Sequence, residues 1–124
     1  MSKLGVDTLK VDRLQIEVQD SPVGLVFTGD IDMEDPSTVL DPFFSKVHEG
    51  MTGGAIGEIQ VDVTGLNFLN SSGIKAISKW IMQLGGTPDD KKYVIKLKHN
   101  PEITWQATSL PTLTYLVPGA VEVI

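Results

Sequence analysis

Residues 13–124 predict a two-layer α/β domain, with a mostly parallel mixed sheet, an N-terminal hairpin and helices mainly on one face. Three observations carry that expectation. Segments with a two-residue apolar period alternate with segments of helical period, in the order β-β-α-β-α-β-α-β, which calls for crossover helices between parallel strands. The first two strands are separated by turn chemistry alone. And the later strands alternate apolar with polar residues (Gln60, Asp62, Lys96, Lys98). Strands covered on both faces would read as continuous apolar runs, so one face is expected to stay wet.

Residues 1–12 are polar and weakly patterned, and are expected to be a flexible N-terminal segment ahead of a single domain. "RLQIEVQ" (13–19) sets Leu14, Ile16 and Val18 against Gln15, Glu17 and Gln19, a half-buried strand. "DSP" (20–22) is a turn, and Val23 to Gly29 supplies the second strand of the hairpin. Asp35-Pro36 and Asp41-Pro42 both look like a helix cap followed by proline in the first turn. A short turn at 36–40 and a main helix from about 42 to 51 are therefore expected, since proline is costly deep inside a helix. Thr52-Gly53-Gly54 ends it.

"GEIQVDVTG" (57–65) alternates again. Asn70-Ser71-Ser72-Gly73 then opens a helix with Ile74, Ile77, Ile81 and Leu84 on one face and Lys75, Ser78, Lys79 and Met82 on the other. Gly85-Gly86 stops it. "TPDDKK" is a loop, and "YVIKLKH" (93–99) is a strand. Asn100-Pro101-Glu102 caps a third helix through about Ser109, and the apolar tail from Leu113, broken by Pro118-Gly119, suits a last strand.

Bulk properties narrow the function. The chain has 124 residues, 41% hydrophobic and 21% charged, a globular composition long enough to bury roughly two thirds of its unfolded surface. Its net charge is −6, which argues against nucleic acid or an anionic membrane as partner, since both need a basic footprint. It contains no cysteine and two histidines, His48 and His99, so thiol chemistry is excluded and no zinc cluster suggests itself; neither a metal nor a cofactor is expected. Nothing reads as a signal peptide or a membrane span, and a cytoplasmic protein is expected.

Paired hydroxyls at the start of a helix invite two readings. Ser71 or Ser72 can cap the helix by accepting a backbone N–H bond. A hydroxyl there is also where a phosphate adds least strain, because the helix N-terminus favours negative charge. A calcium loop from Asp30 would have oxygen ligands at Asp30, Asp32 and Glu34, but Asp35 stands where glycine is required, and Asp41 where glutamate is. Asp30 could be a phospho-aspartate nucleophile, although no downstream acidic pair for a metal is evident. A hydrolase built on Ser71 or Ser72 needs His48 or His99 within reach. Spacing leaves that open, but the flanks form no Gly-x-Ser-x-Gly elbow. Trp80 and Trp105 fit packing, or else partner contact.

On three stretches the sequence resembles the STAS domains, the family of bacterial anti-sigma factor antagonists. "FTGDID" (27–32) is similar to the family's strand ending in Gly-x-Leu/Ile-Asp, and "IQVDVTGLNFLNSSGIKAI" (59–77) to its strand, loop and Asp-Ser-Ser-Gly helix start. "NPEITWQATSL" (100–110) sits where the family has its last helix. The resemblance spans about residues 13–124 and implies a STAS-like fold and a non-enzymatic regulatory module that takes part in transcription control. Its partners would be a serine-kinase anti-sigma factor, which phosphorylates it, and a serine phosphatase, which reverses that. Ser71 falls on the phosphorylated hydroxyl, with Ser72 the alternative. Asp30, Asp32, Asn70, Ser71, Ser72, Gly73 and Lys75 fall on the partner-binding surface. Asn70 departs from the family's acidic residue: it can cap, but lacks the charge. The family also contains unphosphorylated scaffolds and subunits of larger assemblies or transporters. A homodimer is a further association open to such a domain.

Overall fold

The computed structural model describes residues 6–20, 23–54 and 56–124. A six-stranded sheet in the order β1-β2-β3-β4-β5-β6 is built from Leu9–Val11, Leu14–Asp20, Val23–Ile31, Glu58–Leu69, Val94–Lys98 and Val121–Val123. The first three strands pair antiparallel, and β3 through β6 pair parallel. Helices α1 (Ser37–Gly53), α2 (Ser71–Gly85) and α3 (Thr104–Leu113) make the three parallel crossovers. Each crossover steps to the next strand in the same direction. Because such connections are right-handed, all three helices fall on one face of the sheet. This is the two-layer α/β arrangement expected from the sequence.

The open face is polar, as the alternation requires. Ile59, Val61 and Val63 are buried under the helices. On the opposite face Lys96 reaches Glu58 at 3.1 Å and Glu122 at 3.9 Å. The core centres on an aromatic stack, with Phe44 of α1 lying on Trp80 of α2 at 4.8 Å between centroids and 10° between planes. Trp80 is thus a packing residue, and its Nε1–H donates to the Tyr93 hydroxyl at 2.8 Å.

Four local expectations change. The segment 1–12 contains strand β1 and a buried Val6, because Leu9 to Val11 pairs with Leu14 to Ile16 across the Asp12-Arg13 turn. Residues 1–5 lie outside the described residues, as do Ser21 and Pro22 of the hairpin turn. Helix α1 runs unbroken from Ser37 through Pro42, so Asp41-Pro42 is not a helix start. Pro42 is exposed, so its ring points to solvent, while Leu40, Phe43, Phe44, Val47 and Met51 stay buried along the whole helix. That continuous packing outweighs the one hydrogen bond a proline removes. Helix α3 begins later than predicted, after an Asn100 side chain that accepts the Glu102 N–H at 3.0 Å, and it continues through Pro111 to Leu113, which leaves only Val121–Val123 of the expected 113–124 tail as strand.

The fourth change is in β4, which runs to Leu69 rather than ending at Gly65. Its register against β3 shifts twice, once between Val26 and Thr28 and again between Gly29 and Asp30. Each shift places an extra residue in β4, so the buried positions move from Ile59, Val61 and Val63 to Leu66 and Leu69. Strand β5 stops pairing at Lys98 opposite Asp62, leaving the far half of β4 without that neighbour. The buried Gln106 of α3 replaces it. Its Nε2 donates to the Val63 and Leu66 carbonyls at 2.5 and 3.1 Å, and its Oε1 accepts the Asn100 N–H at 2.7 Å.

Candidate functional site

Parallel strands deliver their following loops to one end of the sheet, the usual place for a site in such folds. Here that end gathers the β3–α1 loop with Asp32 to Asp35, the β4–α2 junction at Asn70, and the β5–α3 loop from His99 to Ile103.

Asn70 organises the junction. In an extended conformation (φ −78°, ψ 171°), it places Oδ1 to accept the Gly73 N–H at 2.8 Å, the N-cap bond of α2. Its Nδ2 donates to the Met33 carbonyl at 2.9 Å, and its backbone N–H donates to the Ile31 carbonyl at 3.1 Å. One residue therefore caps the helix and fastens it to the β3–α1 loop. The pair of partners fixes the amide's orientation, oxygen toward Gly73 and nitrogen toward Met33. A carboxylate could cap equally well but has no proton to give Met33. This is a physical reason for asparagine rather than aspartate at this position.

With Asn70 as cap, both serine hydroxyls are released from that duty. Ser71 and Ser72 are exposed, and neither side chain makes a hydrogen bond among the described residues. Gly73 is buried, and a Cβ there would collide with Leu69 Cδ1 and press on Ile31 Cγ2, so glycine lets α2 settle onto the strand ends. Lys75 is exposed one turn along the helix from Ser71.

Asp30 and Asp32 lie to one side of this junction. Arg13 Nη1 stands 3.9 Å from Asp30 and 3.7 Å from Asp32. At 74% exposure for the arginine, these are loose surface pairs worth little stability. Gly29, at φ +94°, makes the approach possible: the Asp30 N–H donates to the Arg13 carbonyl at 3.1 Å, and any side chain at 29 would overlap that oxygen. Glu34 and Asp35 are exposed, and Asp35 Oδ1 accepts from the Ser37 hydroxyl at 2.6 Å. Among the described residues, no three His, Asp or Glu side chains converge as metal ligands.

Both histidines are engaged away from the serines. His99 Nδ1 bonds the Ile124 carbonyl at 2.7 Å. His48 belongs to a network between α1, α2 and β5: Nδ1 lies 2.8 Å from the Tyr93 hydroxyl and Nε2 3.3 Å from Thr87 Oγ1. Burial lowers the His48 pKa, against a smaller opposing pull from Glu49, and burial raises that of Tyr93. Neither imidazole hydrogen-bonds Ser71 or Ser72, so the Ser-His pairing that spacing left open is not assembled.

The sequence points to Trp105 at this end, as packing or partner contact, but not to Phe68. Phe68 is 49% exposed, and it stands opposite Asp30 in the β3–β4 ladder. Beside it lies an open groove of about 650 Å³, lined by Phe68, Ile103, Thr104, Trp105 and Thr108 among others. The half-buried Trp105 donates its Nε1–H to the Leu66 carbonyl at 2.9 Å, so its ring is held at the groove wall. Simple alternation carried on from Val63 would bury residues 65, 67 and 69. The only sequence trace of the re-phasing is Leu66 falling out of step.

No family model matches this sequence, and no curated protein matches it either. Among solved structures, it is similar to a chain in the crystal structure of diguanylate cyclase SiaD in complex with its activator SiaC from Pseudomonas aeruginosa. The TM-score is 0.66 at 15% identity, covering 94% of this chain and 96% of that one. The likeness is one of fold, and it holds over nearly the whole domain. No helix among the described residues is long and apolar enough to cross a membrane.

Proposed function

We propose that this chain is a non-enzymatic regulatory module of the STAS type, which docks a protein partner through the end of the sheet around Asn70 and is switched by phosphate on Ser71. The observation that carries the reading is the division of labour at the start of α2. Asn70 does the capping, and two exposed hydroxyls remain without a structural role.

The fold tolerates the added group. A phosphoserine carries about −1.5 to −2 charge at pH 7, and negative charge in the first turn of a helix is favoured by roughly 0.3–1 kcal/mol. Lys75, four residues on, adds a further attraction of a few tenths. A docked partner does not tolerate it. Packing a flat surface over Ser71 strips water from the phosphate, at several kcal/mol for a buried ion. A partner face with no arginine or lysine at that point cannot repay this cost, so docking there is lost.

The kinase-type anti-sigma factor and the serine phosphatase follow from the family resemblance, as does a cytoplasmic setting. The structural neighbour comes from a complex between an enzyme and its activator. That favours a second version, in which the same surface adjusts a partner enzyme instead of freeing a sigma factor. The experiment is to purify the chain, and its Ser71→Ala and Ser71→Glu variants, from the native cell. Intact mass should show one phosphate on the wild type that is absent from Ser71→Ala, and the partner retained by unphosphorylated chain should be lost from Ser71→Glu. Wild type free of phosphate in every growth state, or a partner held equally by Ser71→Glu, would refute the switch.

A further inference from the structure

Near the serine junction, the structure leaves a large aromatic ring half in water beside an open groove, with a carboxylate next to it and further carboxylates in the adjoining loop. Phe68 is 49% exposed, and the groove next to it is walled by Ile103 and the fixed ring of Trp105, with Thr104 and Thr108 along α3. The ladder sets Asp30 directly beside Phe68, and the same loop continues through Asp32, Glu34 and Asp35. On the other side Glu102 is exposed just ahead of Ile103. Arg13 is the cation placed against the acidic loop, and it is already engaged by Asp30 and Asp32.

We infer that this groove seats an apolar side chain of a protein segment whose flanking residues are lysine or arginine. Phe68, Ile103 and Trp105 supply the apolar contact for the anchor, Asn67, Thr104, Thr108 and Ser109 line the rest of the groove, and the neighbouring carboxylates select the charge around it. Those carboxylates argue against other occupants. Nucleic acid and anionic lipid meet like charge, and a second copy of the chain would bring the same carboxylates against themselves. The inference rests on the regulatory-module reading and extends it: the partner is recognised at Phe68, to one side of the hydroxyl that switches it.

The probes are two short synthetic amphipathic peptides, one of leucine and lysine and the other of leucine and glutamate, titrated into the full chain and followed by amide resonances. The leucine–lysine peptide should shift Phe68, residues 103–108 and the 30–35 loop. Its affinity should fall about tenfold in Phe68→Ser and drop as salt shortens the screening length to a few ångströms. Met82→Ser, which removes an exposed apolar side chain on α2, should change nothing. Because Phe68 is half exposed, its replacement should leave the fold intact, and thermal melting checks this. The inference is overturned by binding of both peptides alike, by binding of neither, by shifts centred elsewhere, or by indifference to Phe68→Ser. Self-association of the chain that Phe68→Ser abolishes would assign the groove to a second copy and overturn it too. Phosphate mapping at Ser71 involves neither peptide, so the groove can fail while the switch stands, and the reverse.

Discussion

Replacing Asn70 by aspartate and by alanine separates the two jobs its amide performs. Asn70→Ala removes the cap on Gly73 and the bond to the Met33 carbonyl. A lost N-cap costs about 1 kcal/mol, and a lost hydrogen bond about 1 kcal/mol more, so roughly 2 kcal/mol is expected. In urea, with a slope of about 1–3 kcal/mol/M for a domain of this size, the midpoint should fall by about 1 M. Asn70→Asp keeps the cap and adds a charge that the helix favours by roughly 0.3–1 kcal/mol. It also turns an acceptor toward the Met33 carbonyl, losing about 1 kcal/mol and adding repulsion. The aspartate variant should therefore lie between wild type and alanine, with faster amide exchange over residues 31–38 while the first turn of α2 stays protected. Aspartate equal to or above wild type in stability, with exchange in that loop unchanged, would show that the Met33 bond does not hold the junction together.

Gly29→Ala should destabilise by more than about 2 kcal/mol, since it combines a left-handed backbone with overlap on the Arg13 carbonyl; a melting temperature within a degree or two of wild type would contradict this. Gln106→Leu should cost roughly 2–4 kcal/mol by urea unfolding, because it strands the Val63 carbonyl and the Asn100 N–H, while the Leu66 carbonyl keeps the Trp105 indole N–H; a near-neutral result would mean that water replaces the amide. His48 sets a pH dependence. Its folded pKa is lowered, so below about 6.5 the unfolded chain takes up the proton first and stability falls, levelling off once pH passes the folded value; above about 6.5 this group contributes no slope. Melting between about pH 7 and pH 5 should show that loss in wild type and a smaller one in His48→Gln, and identical slopes would assign the loss to other groups.

Much of the fold was legible because it is written in neighbouring residues. Period-two alternation marks Leu14 to Val18, Ile59 to Val63 and Ile95 to Leu97, and Ile77, Ile81 and Leu84 mark α2. The polar partners of those strands even told that one face of the sheet would be wet. Pro42 misled for the same local reason. Proline's preference is a property of a few adjacent residues, whereas the helix through it is held by Phe43, Phe44 and Val47 against other elements. The site divides in the same way. Asn70-Ser71-Ser72-Gly73 announces a helix start, but not which of its side chains would be the cap.

The sequence by itself determined the element order from Leu14 onward, the one-sided layering and the position of two hydroxyls at the start of a helix, since these follow from periodicity, turn chemistry and the handedness of crossovers. Only the tertiary structure decided that Asn70 would reach Met33 and leave both serines unengaged, that Gln106 would take the place of a strand, and that two added residues in β4 would bring Phe68 to the surface beside Asp30. Those outcomes depend on contacts between residues tens of positions apart. No local preference encodes them; they arise when a carbonyl without a strand neighbour, or a helix end without a cap, meets whichever donor the packed chain brings within reach.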